Sequence, residues 1–193
     1  MRIGLAVFFI SFILVSAVEH ASGSETCPAR PVLQQLRYDE DWSFLANAEC
    51  RSEPLDNIKY VPLGREGWFL SAGGETRLRY ENYQNPAFGS DPADENGYLL
   101  QRYLLHADVH FGERFRFFVQ LQSGLEDGRN GGPRLTDEDI LDLHQAFGEL
   151  VLLKDTNSRL ALRIGRQEVE FGAGRLIGAS EGLNPRRAFD GGA

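Results

Sequence analysis

The chain has 193 residues and a formal net charge of −8, with 42% hydrophobic and 25% charged residues. That acidic balance argues against a nucleic-acid partner, which is gripped through a local excess of Lys and Arg. After the N-terminal leader no run of apolar residues reaches the length of a membrane-spanning helix, so only a barrel of strands could cross a bilayer.

The leader, "MRIGLAVFFISFILVSAVEHASGSE", has a positive start at Arg2, an apolar stretch from Ile3 to Val18, and small residues at Ala21 and Gly23. This is the anatomy of a secretory signal peptide, with residues 1–23 removed on export. Cys27 and Cys50 then lie close together in an exported chain and are a disulfide candidate. Neither a CxxC spacing nor flanking histidines support a redox or metal pair.

Residues 24–65 mix Pro, Asp and isolated aromatics without sustained periodicity. We read them as an irregular periplasmic segment with a short helix around Trp42 to Ala48, tied down by burial of Trp42 and Phe44. From residue 66 onward the pattern is that of strands. In "WFLSAGGETRLRYENY", Trp68, Leu70, Ala72, Thr76, Leu78 and Tyr80 share one face, and Ser71, Glu75, Arg77, Arg79 and Glu81 the other. "QRYLLHADVHF" repeats the division, with Tyr103, Leu105, Val109 and Phe111 opposite Arg102, His106, Asp108 and His110. After a tight Gly112-Glu113 turn, Phe115, Phe117, Val119, Leu121 and Leu125 oppose Arg116, Gln120, Gln122 and Glu126. "ILDLHQAFGELVLL" puts Leu141, Leu143, Phe147 and Val151 opposite Asp142 and His144, and in "RLALRIGRQE" Leu160, Leu162 and Ile164 oppose Arg163. The Gly-rich end, from Phe171, reads as a loop leading into a strand that is not reached within the sequence.

A soluble antiparallel sheet and a membrane barrel both produce such alternation. Two regularities favour the barrel. The connections alternate long and short, as they do between the two ends of outer-membrane barrels. The strands are also long: at ~3.3 Å per residue and a tilt near 40°, the stretch from Trp68 to Tyr80 covers roughly 30 Å of height. Five strands and the start of a sixth are too few to close a barrel, for which about eight is the practical minimum, so the chain reads as the N-terminal part of something larger.

Several other patterns carry little. His106, Asp108 and His110 suggest a metal site, but the outer two are roughly 13 Å apart along a strand and no Cys or Glu cluster completes it. "GAGRLIG" lacks the offsets of a phosphate loop, and "TDEDILD" lacks the spacing and closing Glu of a calcium loop. A glycosidase pair of Glu75 with Glu168 has nothing to bring the two together. The expectation is therefore no enzyme, no cofactor and no metal.

The stretches "LRYDEDWSFL", "KYVPLG", "GGETRLRYENYQNPAFG", "GYLLQRYLLHADVHFGERFRFFVQLQSGLEDGR", "DEDILDLHQAF", "LRIGRQEVEFGAGRLIG" and "NPRRAFDG", in that order, resemble the alginate export family. The resemblance runs from about Leu36 to the C-terminus. It implies an all-β, antiparallel outer-membrane barrel of about 18 strands, of which this chain carries the first five or six within residues 66–193. It further implies outer-membrane lipid around the wall, periplasmic export components as partners, and an Arg-bearing lumen that passes an anionic polymer.

The residues weigh that implication by themselves. Arg77, Arg79, Arg102, Arg116 and Arg163 are the cationic members of the polar faces, and Glu75 and Asp108 stand among the carboxylates facing them. Arginine suits a carboxylate polymer because its planar fork accepts carboxylates bidentately. The signs are nearly balanced, however, and cross-strand pairing that stiffens the wall is the competing role. The expected function is a porin-like passive conduit for an alginate-like polysaccharide or a smaller acidic solute. The alternatives are a soluble periplasmic all-β polysaccharide-binding module and a nonfunctional barrel fragment.

Overall fold

The computed structural model describes residues 27–90, 96–155, 158–172 and 174–193. The signal peptide read at residues 1–23 lies outside them. The alternating stretches form one antiparallel sheet whose strands follow chain order. They are β1 (Val61–Pro62), β2 (Trp68–Glu81), β3 (Tyr98–Phe111), β4 (Phe115–Asp127), β5 (Asp139–Lys154), β6 (Arg159–Gln167) and β7 (Phe189–Gly192). β2 and β3 have 14 residues each and β5 has 16, well beyond the usual globular strand of about five or six. The strand that the sequence reading expected not to be reached after the Gly-rich stretch is present, because Phe189–Gly192 pairs antiparallel with β6, which corrects that reading. The sheet is thus all-β and sequentially antiparallel, as a section of barrel wall would be.

Period-two patterning gives the sheet two unlike faces. One carries Leu78, Tyr80, Tyr103, Leu105, Phe115, Phe117, Leu121, Leu150, Leu160, Leu162 and Ile164, all exposed. The other carries Ser71, Arg102, His106, Asp108, Gln120, Gln122 and Glu149, all buried. This second face is not wholly polar, because Leu100, Leu104, Phe118 and Phe147 are buried there too.

β5 departs from simple alternation. The β4–β5 register passes from Gln120↔Gln145 to Leu121↔Leu143, which leaves His144 as an extra residue. A bulge of this kind shifts the phase of every later side chain by one. His144 and Gln145 are accordingly both buried. Leu141 and Leu143 stay on the apolar face while Phe147 and Val151 turn to the buried one. This corrects the sequence-based grouping of all four on one side.

Two segments of the chain cover the buried face. The first is the N-terminal segment, whose helical content is a few 3-10 turns, Arg37–Asp39, Ser43–Ala46 and Ala48–Cys50, and the single turn α1 (Asp56–Lys59). The structure joins Cys27 to Cys50. Trp42, Leu45 and Tyr60 form a cluster on Phe69 of β2, with Phe44 packed beside them. His110 of β3 stacks on Phe69 with 4.3 Å between ring centroids. Further along, Tyr38 stands edge-on to Phe118 and Phe147 at 5.8 and 5.2 Å. Gly73 lets this cover approach, since a Cβ there would lie 2.6 Å from Lys59 Nζ and 2.8 Å from His106 Cε1.

The second cover is the connection from β6 to β7. It folds back over β2 to β5 instead of extending away from the sheet. The Asn184 amide nitrogen lies 2.7 to 3.1 Å from the carbonyls of Gln101, Leu125 and Asp137. Gln122 accepts from the Arg186 amide at 2.9 Å. Gly124 makes room beneath, because a Cβ there would meet Pro185 Cγ at 3.1 Å.

Candidate functional site

All seven charged residues singled out in the strands lie on the covered face, and they fall into two clusters. The first gathers Glu75, Arg77, Arg79 and Arg102 under the β6–β7 connection. Glu75 receives Arg102 Nη2 at 2.8 Å and Arg37 Nη2 at 2.9 Å, the latter from the N-terminal segment. Arg102 also pairs with Glu181. Arg77 donates to the Glu181 carbonyl and the Leu183 carbonyl, each at 2.6 Å. Arg79 donates to the Gly182 carbonyl at 2.8 Å and pairs with Glu81 on its own strand at 2.8 Å.

The second cluster gathers Asp108, Arg116 and Arg163 around a residue the sequence reading passed over, Glu149. This buried carboxylate meets Arg163 Nη2 at 2.6 Å, Arg116 Nε at 3.2 Å and Arg159 Nη2 at 2.5 Å. Arg116 also donates to the Tyr38 carbonyl at 2.6 Å and lies 3.4 Å from Asp108, which in turn faces His110 at 3.1 Å. The Arg163 guanidinium sits 4.1 Å from the centroid of the Tyr38 ring and 4.7 Å from that of Phe147. Such cation–π contacts strengthen when shielded from water.

Cross-strand pairing and arginine clustering therefore coexist. Every one of the five arginines has an internal carboxylate or carbonyl partner, while each still faces the same side of the sheet. Of the carboxylates considered as a glycosidase pair, Glu168 is engaged by His144 at 2.6 Å and Glu75 by Arg37 and Arg102.

Several residues were invisible to strand periodicity. Arg37 and Tyr38 belong to a segment without periodicity. Glu181, Asn184 and Arg186 belong to the Gly-rich stretch read simply as a connection. Their signal, a carboxylate and an "NPRR" run within a loop too long for a simple turn, was present but had no pattern to place it. His144 and Gln145 were legible as polar, but not as a bulge.

The model of the alginate export family matches residues 69–193, which begins one residue into β2 and runs to the end of β7. The chain belongs to the alginate export family. Among curated proteins and among solved structures, nothing matches it. The family places the chain at the outer membrane and in polysaccharide export, and the apolar and polar faces of its sheet accord with that setting. The alginate export match covers β2 from its second residue through β7, with the β6–β7 connection, but neither β1 nor the N-terminal segment that docks on the sheet.

Proposed function

We propose that the sheet is part of the wall of a passive outer-membrane conduit for an acidic polysaccharide of the alginate type, or for smaller acidic solutes. Its exposed face would meet lipid and its covered face the lumen. The observation that carries this reading is the largely apolar exposed face across β2 to β6, in which Thr76, Gln101 and Ser123 are polar members. Leu78 and Tyr80, Leu105, Phe117 and Leu121, Leu150 and Leu152, and Leu162 and Ile164 are all exposed on consecutive strands. Contiguous apolar patches beyond a few hundred Å² are rare on water-soluble monomers, whereas a bilayer requires one.

The lumen face supplies guanidinium groups, which recognise carboxylates through two parallel hydrogen bonds. Transport needs binding strong enough to admit the solute and weak enough to release it. A row of arginines partly neutralised by Glu75, Glu149 and Glu181 meets that requirement better than unpaired arginines would. No bond is made or broken, and no cofactor is used. On this reading Arg77, Arg79, Arg102, Arg116 and Arg163 form the polymer's path, with Glu75 and Asp108 tuning their charge. The N-terminal segment joins the sheet at the end of the short turns, on this reading the periplasmic end, where export components would meet it.

Flotation with phospholipid vesicles tests the proposal. The folded protein should require detergent for extraction and should float with the vesicles on a density gradient. Recovery as a monodisperse species in detergent-free buffer would overturn the conduit and leave a soluble polysaccharide-binding module in its place.

A further inference from the structure

Glu181 is held differently from the other carboxylates of the covered face. It projects from the β6–β7 connection, not from a strand, and its side chain is 45% exposed. Three arginines converge on it: Arg77 Nη1 at 3.2 Å, Arg186 Nε at 2.7 Å, and Arg102 Nη2. Arg102 and Arg186 are each only 1% exposed. Arg102 is fixed in the middle of β3, and its Nε and Nη1 have no hydrogen-bond acceptor among the described residues. The guanidinium of Arg77 likewise has an unmatched Nε. The cradle thus has more donors than Glu181 can satisfy.

Arg102 keeps Glu75 at 2.8 Å and Arg186 lies 3.7 Å from Glu168, so the cradle holds part of its counter-charge without Glu181, and an anion at the Glu181 position completes it. The cradle does not need that anion to be Glu181. The loop bearing the residue makes one isolated bridge within itself, Phe171↔Ile177, and lies outside the sheet ladder until Phe189. The backbone after Glu181 is pinned to the sheet, by the Asn184 side chain on the Gln101, Leu125 and Asp137 carbonyls and by the Arg186 amide on Gln122, so the part that is able to move is the half-exposed Glu181 side chain.

We propose that Glu181 is an internal stand-in for the carboxylate of a uronate. It occupies the Arg77–Arg102–Arg186 cradle until a carboxylate of the incoming polymer takes its place and the Glu181 side chain turns to water. The inference rests on the conduit reading and adds how the cradle is neutralised when empty. Exchange of one carboxylate for another leaves the arginines neutralised throughout, so the barrier to exchange is low. Covalently linked uronates have the advantage over single sugars, because neighbouring carboxylates are delivered at high effective concentration. Neutral sugars cannot take the place of Glu181 at all.

Calorimetric titration of the full-length protein in detergent micelles, with trimannuronate as ligand and neutral mannotriose as control, tests this. Glu181→Gln removes the competing charge and should tighten trimannuronate binding about tenfold, with mannotriose remaining silent. Arg102→Gln should abolish binding. Arg77→Gln, at a partly exposed position that does not threaten folding, should weaken it several-fold. Far-ultraviolet circular dichroism verifies that each variant is folded. Trimannuronate binding that is unchanged or weakened in Glu181→Gln would overturn the stand-in role while leaving the conduit intact. Failure of every folded form to bind would also overturn it, and the vesicle experiment decides the conduit reading independently.

Discussion

The hydroxyl of Tyr38 donates a 2.7 Å hydrogen bond to the main-chain carbonyl of Glu168, so the N-terminal segment and the β6–β7 connection touch in the middle of the covered face. A second link runs from Arg186 Nη2 to the Gln35 carbonyl at 3.2 Å. Tyr38→Phe removes only the hydroxyl and should cost about 1 kcal/mol of segment stability. Tyr38→Ala also removes the ring from between Phe118 and Phe147 and should cost about 3–5 kcal/mol, the range for truncating a buried aromatic. Native-state proteolysis of residues 27–60 measures both. Equal effects of the two substitutions would show that the ring itself contributes nothing.

The exposed face makes a prediction that depends on its surroundings. Leu105 lies in the middle of β3, opposite Gly74 on β2 and Leu121 on β4, with its side chain 62% exposed. Leu105→Arg should cost about 2–4 kcal/mol in a bilayer, because a charge is placed near mid-height on the lipid side. In water the same change at an exposed position would fall within about 0.5 kcal/mol. Urea unfolding from vesicles gives the value, and a cost in the aqueous range would argue that this face never meets lipid.

Much of the wall was legible because a strand's side-chain period is two and one of its faces is buried. Arg77, Arg102 and Arg116 could be placed on the covered side from spacing alone. The same logic failed at His144, since a bulge is set by local pairing with β4 and leaves no mark in composition. It failed more fully for the covers. Tyr38 reaches Phe118 through a segment held by a disulfide and small aromatic contacts, and Glu181 reaches Arg102 through a loop. Neither has a period from which a direction could be read. The paired state of the arginines was therefore out of reach, although their common face was not.

Acid should loosen the N-terminal segment. Asp56 accepts from Arg30 at 2.5 and 3.0 Å and from the amides of Ser52 and Glu53 at 2.8 Å. The Arg30 hydrogen bond, aided by those amides, holds its carboxyl down at about 2. The unfolded segment titrates near the ordinary value of about 3.9. A depressed native value means that the stabilisation is complete above about pH 4 and is lost as pH falls from there through 2. Near-ultraviolet circular dichroism, to which the docked Trp42 and Tyr60 contribute, should follow that window. Asp56→Asn should lower stability at neutral pH and flatten the acid response. An unchanged acid transition in that variant would assign it to other carboxylates.

Glu149 should be the least replaceable charge in the wall. Its side chain is 2% exposed, and it is the shared counter-ion of Arg116, Arg159 and Arg163 from β4 and β6. Arg159 is half-exposed and can turn to water, but Arg116 and Arg163 are not free to do so. Glu149→Gln keeps the shape while leaving Arg163 without its carboxylate and Arg116 with only Asp108 at 3.4 Å, and should cost about 3–5 kcal/mol, as expected for removing one partner of a buried pair. Removing the stranded charge as well should recover part of the loss, so the double variant Glu149→Gln with Arg163→Met should be more stable than Glu149→Gln alone. That reversal separates an electrostatic role from a merely steric one, because a lost packing contact would be made worse by a second substitution. Urea unfolding of the three forms in detergent micelles measures the order. If Glu149→Gln falls within about 0.5 kcal/mol of the native protein, the range of an uninvolved surface position, solvent already screens the cluster. The arginines would then be available to a passing polyanion without help from the wall.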